Sequence, residues 1–239
     1  MRSRQNRIEI RVENRYFEVT EVTVPVATLL IDGIDLFSDL APNGFVGFDP
    51  DELLGPDEPL VPAEPARRVA VYRCSCGEPG CGVVAPVISG GDAEVRWTDF
   101  QDFTGWFFSP LPEDEPEDGR SLGAPELTFD ATQYLNEVRR AASDRSWETP
   151  IRRTARLLKV MLEDRSDALA ESGLELGGVF PSFRSKTSVS VSFRGVGVLT
   201  LTADAGTPEG SAAEMMGNLF SKRPDQWMTA FPWDGLKRA

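Results

Sequence analysis

The spacing of apolar residues changes character along this chain, and that change constrains the fold more than any other feature. Up to about residue 100 the pattern alternates in short runs broken by turn signals; from Ala131 it falls into helical stripes. Ile8–Val12 and Tyr16–Thr20 flank Glu13–Arg15 and predict a hairpin. Leu29–Ile31 and Ile34–Leu36 flank Asp32-Gly33, a pair in which both central residues tolerate positive φ and suit a two-residue primed turn. Arg68–Cys76, Cys81–Ile88 and Glu94–Thr98, separated by Gly77–Gly80 and Ser89–Asp92, predict a β-meander.

The helical part opens at Asp130, an N-cap with Gln133 placed to answer it, ahead of the stripe Ala131, Tyr134, Leu135, Val138, Ala141 and Ala142. Thr149-Pro150 predicts a second start, threonine capping and proline at the first helical position, with Ile151, Ala155, Leu158, Met161 and Leu162 on its apolar side. A hairpin follows over Thr187–Phe193 and Val196–Thr202. Then Thr207-Pro208-Glu209 opens a third helix carrying Ala212, Met215, Met216, Leu219 and Phe220, which Pro224 stops. Strands, then helices, then a hairpin and a helix predict an α+β fold rather than a parallel wind. The chain divides into a β-rich region over 1–125 and an α+β region over 126–239, packed as one unit.

Between the first strands and the meander lies Ala41–Pro65, with prolines at 42, 50, 56, 59, 62 and 65. That density predicts a long loop, and Phe45, Phe48, Leu53 and Leu54 predict that it covers the sheet rather than linking domains. The same stretch is acidic. Asp49–Glu64 carries six acids and no base, Glu113–Asp118 five acids and no base, and without these eleven the formal charge of −13 would fall to −2. The acidity therefore belongs to two segments. It opposes binding to a phosphate backbone, so no nucleic-acid partner is expected; a protein partner that used these segments would be basic. Read structurally, both are solvated loops.

No segment has the roughly 20 consecutive apolar residues that span a bilayer, and Met1–Glu13 has basic residues without an apolar stretch behind them. No membrane association is expected. Three cysteines are an odd number and too few for a secreted disulfide framework, which places the chain in the cytoplasm. There is no histidine, so imidazole bases, imidazole metal ligands and histidine-activated nucleophiles are all excluded.

The cysteines sit together in Cys74-Ser75-Cys76-Gly77-Glu78-Pro79-Gly80-Cys81-Gly82. If Gly77–Gly80 is a four-residue loop, Cys76 opposes Cys81, Cys74 opposes Val83, and all three thiols share a face. Opposed Cβ atoms about 4.5–5.5 Å apart are too far for a relaxed disulfide, so the thiols fit part of a zinc knuckle whose fourth ligand is a carboxylate, a water or another subunit. Two alternatives stay open: buried, reduced thiols acting as small apolar side chains, and a redox-active thiol favoured by Arg73. A second candidate is basic. Arg152, Arg153 and Arg156 crowd the start of a helix, where positive charge opposes the macrodipole, so they call for carboxylates from Glu113–Asp118, an external anion or an acidic partner. Asp130, Asp144 and Glu148 form no recognisable acid/base pair, and Asp130 is explained as a cap.

The run Cys74-x-Cys76-Gly77-x-x-Gly80-Cys81, then Val95-x-Trp97-x-x-Phe100, then Phe129-Asp130-x-x-Gln133-Tyr134, resembles a widespread set of uncharacterised bacterial proteins over Arg68–Tyr134. No activity follows from that resemblance. The expectation is a non-enzymatic binding or interaction protein, an accessory or immunity-type factor of the bacterial cytoplasm. The alternatives are an enzyme using carboxylate or thiolate chemistry beside the cysteines, or a small structural zinc protein.

Overall fold

The computed structural model describes residues 5–18, 21–35, 44–76, 81–104, 119–182, 185–194, 196–204, 206–231 and 233–234. The fold is α+β, with antiparallel sheets, and the chain forms two compact units, Met1–Trp147 and Glu148–Ala239. The first long helix belongs to the first of these units, where it bonds to a strand.

In the first unit β1 (Ile8–Phe17), β2 (Val22–Ile31) and β3 (Ile34–Asp35) form a three-stranded sheet. The primed turn at Asp32-Gly33 is present, with φ of 53° and 84° and Ile31 opposite Ile34. Glu13–Arg15, however, is not a turn. β1 runs through it, Glu13, Asn14 and Arg15 pairing with Val26, Pro25 and Val24. Nothing in Glu-Asn-Arg supplies the glycine or the paired positive φ that a tight reversal needs.

The second sheet contains β4 (Phe45–Gly47), β5 (Arg67–Arg68), β6 (Tyr72–Cys74), β7 (Val83–Gly90), β8 (Glu94–Phe103), β9 (Arg120–Ser121) and β10 (Leu127–Asp130), ordered β10-β8-β7-β6-β4 with β5 on β7 and β9 on β8. The register slips between Ala85 and Val87, where Pro86 has no N–H to donate. Arg68 fills the irregularity. Its guanidinium donates to the Ala85 carbonyl at 2.9 Å and the Asp99 carbonyl at 2.7 Å, and meets the Asp99 carboxylate at 2.6 Å. That partnership, with Gln101 assisting, holds the Asp99 carboxyl below the usual carboxylate range.

Within the acidic proline segment, residues 44–64 are structured. β4 pairs with β6, and a short helix α1 (Pro50–Leu53) starts on Asp49, whose side chain accepts the Asp51 N–H at 2.9 Å. Proline is tolerated at that first position because its missing N–H would be unsatisfied there anyway. Phe48, Leu53, Leu54 and Leu60 are buried, so the segment does cover the core.

Helix α2 (Ala131–Ser143) is capped by Asp130, which accepts the Gln133 N–H at 2.9 Å. The Gln133 side chain does not answer the cap. Instead it brackets Ile8 of β1, accepting its N–H at 3.3 Å and donating to its carbonyl at 2.8 Å. One turn on, Glu137 accepts the Ile10 N–H at 2.7 Å, and then Arg140 donates to the Ile10 carbonyl at 2.6 Å. Three side chains on one face of α2 therefore stand in for a neighbouring strand along part of the β1 edge. Beneath them Trp97 donates to the Tyr134 hydroxyl at 3.1 Å, which donates to the Leu60 carbonyl at 2.8 Å.

The second unit is a four-stranded sheet, β11 (Leu176–Pro181), β12 (Ser188–Phe193), β13 (Gly197–Thr202) and β14 (Trp233–Asp234), with α3 (Pro150–Glu163), α4 (Ser166–Glu171), α5 (Pro208–Phe220) and α6 (Pro224–Ala230). The hairpin β12–β13 is the expected one, though its Gly195 lies outside the described residues. Thr207 caps α5 through the Gly210 N–H at 3.1 Å, as expected. Thr149 occupies the cap position of α3 but makes no side-chain capping bond. Pro224 both ends α5 and opens α6, whose Trp227 is buried and donates to the Leu219 carbonyl at 2.9 Å.

Candidate metal centre

The three cysteines are built by the end of one strand and the start of the next. β6 closes at Cys74, and the chain turns at Ser75–Cys76. Gly77–Gly80, the expected turn, lies outside the described residues. The register is one residue off the expected one: Arg73, not Cys74, opposes Val83, and the Cys74 N–H donates to the Gly82 carbonyl at 2.9 Å. On a continued ladder Ser75, not Cys76, would therefore face Cys81. What gathers the thiols is departure from the strand. The Ser75 N–H goes to the Gly44 carbonyl at 2.6 Å, and the Cys76 N–H folds back onto the Cys74 sulfur at 3.5 Å.

The result is one group of three sulfurs, all within 4.8 Å of one another and none in a disulfide. Two sulfurs on a tetrahedral zinc, each about 2.3 Å from the ion, lie about 3.8 Å apart, so this spacing suits a shared cation with small side-chain adjustments. Cys74 and Cys76 are half-buried and Cys81 is exposed. Hydrogen bonding with Cys74 and then Cys76, together with repulsion from their sulfurs, pushes the Cys81 thiol up to about 12. A cluster that resists carrying several negative charges is one that a bound cation would stabilise, because metal replaces the protons.

The surroundings come from residues that sequence reasoning passed over. Phe45 of β4 opposes Cys74. Asp102 of β8 opposes Val84, two residues from Gly82, and so shares a face with Gly82 and Cys74. A Cβ placed on Gly82 would stand 3.4 Å from the Asp102 Oδ1. Asp102 pairs at 3.0 Å with Arg120 of β9. No local pattern points to Asp102, because it reaches the cysteines only across two ladders.

The basic helix start is distributed rather than gathered. Arg152 is buried at 3% exposure, Arg153 meets Glu209 of α5, and Arg156 makes a two-point pair with Glu148 at 2.6 and 2.9 Å. The carboxylates found at Arg153 and Arg156 thus come from the arginines' own unit, Glu209 from α5 and Glu148 from just ahead of α3. Glu113–Asp118, expected to supply them, lies outside the described residues. Lys159 and Glu163 pair at 3.5 Å across one helical turn. Of the remaining acids, Asp130 is the cap of α2. Asp144 accepts the Ser146 N–H at 3.0 Å, and that bond holds its carboxyl below the usual range.

A cleft of about 590 Å³ belongs to the second unit and is lined by Leu162, Glu163, Ser166, Leu169, Glu175 and Leu176 among others. It holds none of the cysteines. Among the described residues no helix is long and apolar enough to cross a membrane. Comparison of the chain with protein-family models, with curated proteins and with solved structures finds no match in any of the three.

Proposed function

We propose that this chain is a non-enzymatic binding protein of the cytoplasm in which Cys74, Cys76 and Cys81 hold one zinc ion. The observation that carries this reading is the approach of three sulfurs to within 4.8 Å at a point where two backbone N–H groups already fix the turn. Zinc suits the donor set, since it binds thiolates without redox demands and takes tetrahedral sites with three sulfurs and one further ligand. The ion would tie the end of β6 to the start of β7 and so pin the connection that carries Gly77–Gly80. Its role there is structural, and the surface it stabilises is the part offered to a partner. The five acids of Glu113–Asp118 support a basic protein as that partner rather than a nucleic acid.

The test is metal loading of reduced, chelator-stripped protein. One zinc per chain is expected, with the three thiols protected from a chromogenic thiol reagent while the ion is bound. Substituting any one cysteine by serine should abolish stoichiometric retention. Because the ion must displace the protons of the thiols it binds, and neighbouring sulfurs push the pKa of Cys81 up, apparent affinity should rise with pH through the neutral range. Reduced wild-type protein that retains no zinc, with thiols equally reactive before and after loading, would dismiss the reading.

A further inference from the structure

We infer that Asp102 is the fourth ligand of the cysteine site, exchanging its ion pair with Arg120 for the metal. The inference rests on the zinc reading above and goes beyond it by naming the donor. Zinc in a closed protein site takes four ligands, and the cysteines supply three. The fourth must come from the face on which the sulfurs gather. Cys74 lies beside Gly82 through its N–H bond to the Gly82 carbonyl, and Val84 opposes Asp102, so Cys74, Gly82 and Asp102 share one face of the sheet.

At the position between Cys74 and Asp102 the chain has glycine, and the side chains nearest to where its Cβ would be are Asp102 and the Phe45 ring, the latter 3.9 Å away. The Asp102 Oδ1 lies 3.4 Å from where a Cβ on Gly82 would be; paired with Arg120, it is outside the group of sulfurs within 4.8 Å of one another and has to turn to join them. Asp102 is also well placed to change partners. Its side chain is 18% exposed, whereas that of Arg120 is 76% exposed, so the arginine can return to water while the carboxylate turns to the ion. A pair with one partner as exposed as Arg120 contributes little, and thiolate-bound zinc is a far stronger attraction.

The two members of the pair are then expected to act in opposite directions, which a merely structural ion pair would not do. Zinc affinity of the full chain is measured by competition with a chromophoric chelator for wild type, D102N and R120A, with thermal melting as the check on folding. D102N should weaken zinc binding at least about tenfold, since even an outer-shell partner of a ligand is worth about 10–100-fold. R120A removes the competitor and should tighten binding by up to about fivefold, the equivalent of one exposed pair. X-ray absorption of the wild-type zinc protein should show three sulfur scatterers and one oxygen, with the oxygen shell altered in D102N. D102N within twofold of wild type, R120A weakening binding alongside D102N, or a tenfold loss in E78Q with none in D102N would each overturn Asp102 as ligand while leaving the three-cysteine reading intact. A wild-type protein that takes up no zinc would remove both.

Discussion

Replacing Arg68 by methionine should destabilise the first unit more than any substitution of an exposed arginine. The guanidinium is 5% exposed, serves two backbone carbonyls and one carboxylate, and lies 5.4 Å from the centre of the Phe103 ring. Methionine keeps much of the apolar stem but makes none of those bonds. The Ala85 carbonyl bond is buried, and a buried acceptor left alone costs about 1–3 kcal/mol. The Asp99 carboxylate is 47% exposed, so water takes over much of its solvation and the full 3–5 kcal/mol for breaking a buried pair does not apply. Asp99 also holds φ at 47°, a conformation the arginine helps to stabilise from both its carbonyl and its side chain. A loss of about 2–4 kcal/mol follows, which for a unit of this size is a fall in Tm of roughly 4–16 °C. Calorimetry or near-ultraviolet circular dichroism at neutral pH measures it. The double variant R68M/D99N should lose less than the two single losses added together, because both act on one interaction. A Tm for R68M within 2 °C of wild type would refute the assignment of Arg68 as the group that satisfies the bulge.

Two further perturbations test the frame around the site. Glu137 is pushed up by burial, but the Arg140 guanidinium and the Ile10 N–H together win and hold it below its ordinary value. Its contribution is therefore present above the ordinary glutamate range and is lost as pH falls through the lowered value; E137Q should flatten that part of the stability–pH curve, and an unchanged acid limb would contradict the edge-covering role. In G47A the new methyl group would stand 2.1 Å from the Ala27 carbonyl oxygen, a backbone atom that cannot swing aside. A cost of about 1–3 kcal/mol or more is expected from denaturant unfolding, and a neutral result would mean that β4 and β2 do not approach as described.

Much of the architecture is legible in the residues themselves, for local reasons. Asp32-Gly33 makes its turn because both residues accept positive φ, Asp130 and Thr207 cap helices with their own side chains, and the alternation over 188–202 makes a hairpin wherever it is placed. Clustering of the cysteines was also within reach, since seven positions separate the first from the last. The geometry of that cluster was not. Strand parity put Cys76 opposite Cys81, whereas the ladder stops at Cys74 and a turn gathers the sulfurs, an outcome set by the Gly44 carbonyl and the β4 strand beside it. Gln133 carries the signature of a capping box, yet Ile8, 125 residues away, takes its side chain because the exposed edge of β1 needs both a donor and an acceptor. Arg68 with Asp99, Arg153 with Glu209 and Asp102 beside Gly82 share the same character. Each joins residues that are distant in the chain, and a side chain with several competing partners goes to the one whose bonding groups tertiary packing has removed from water.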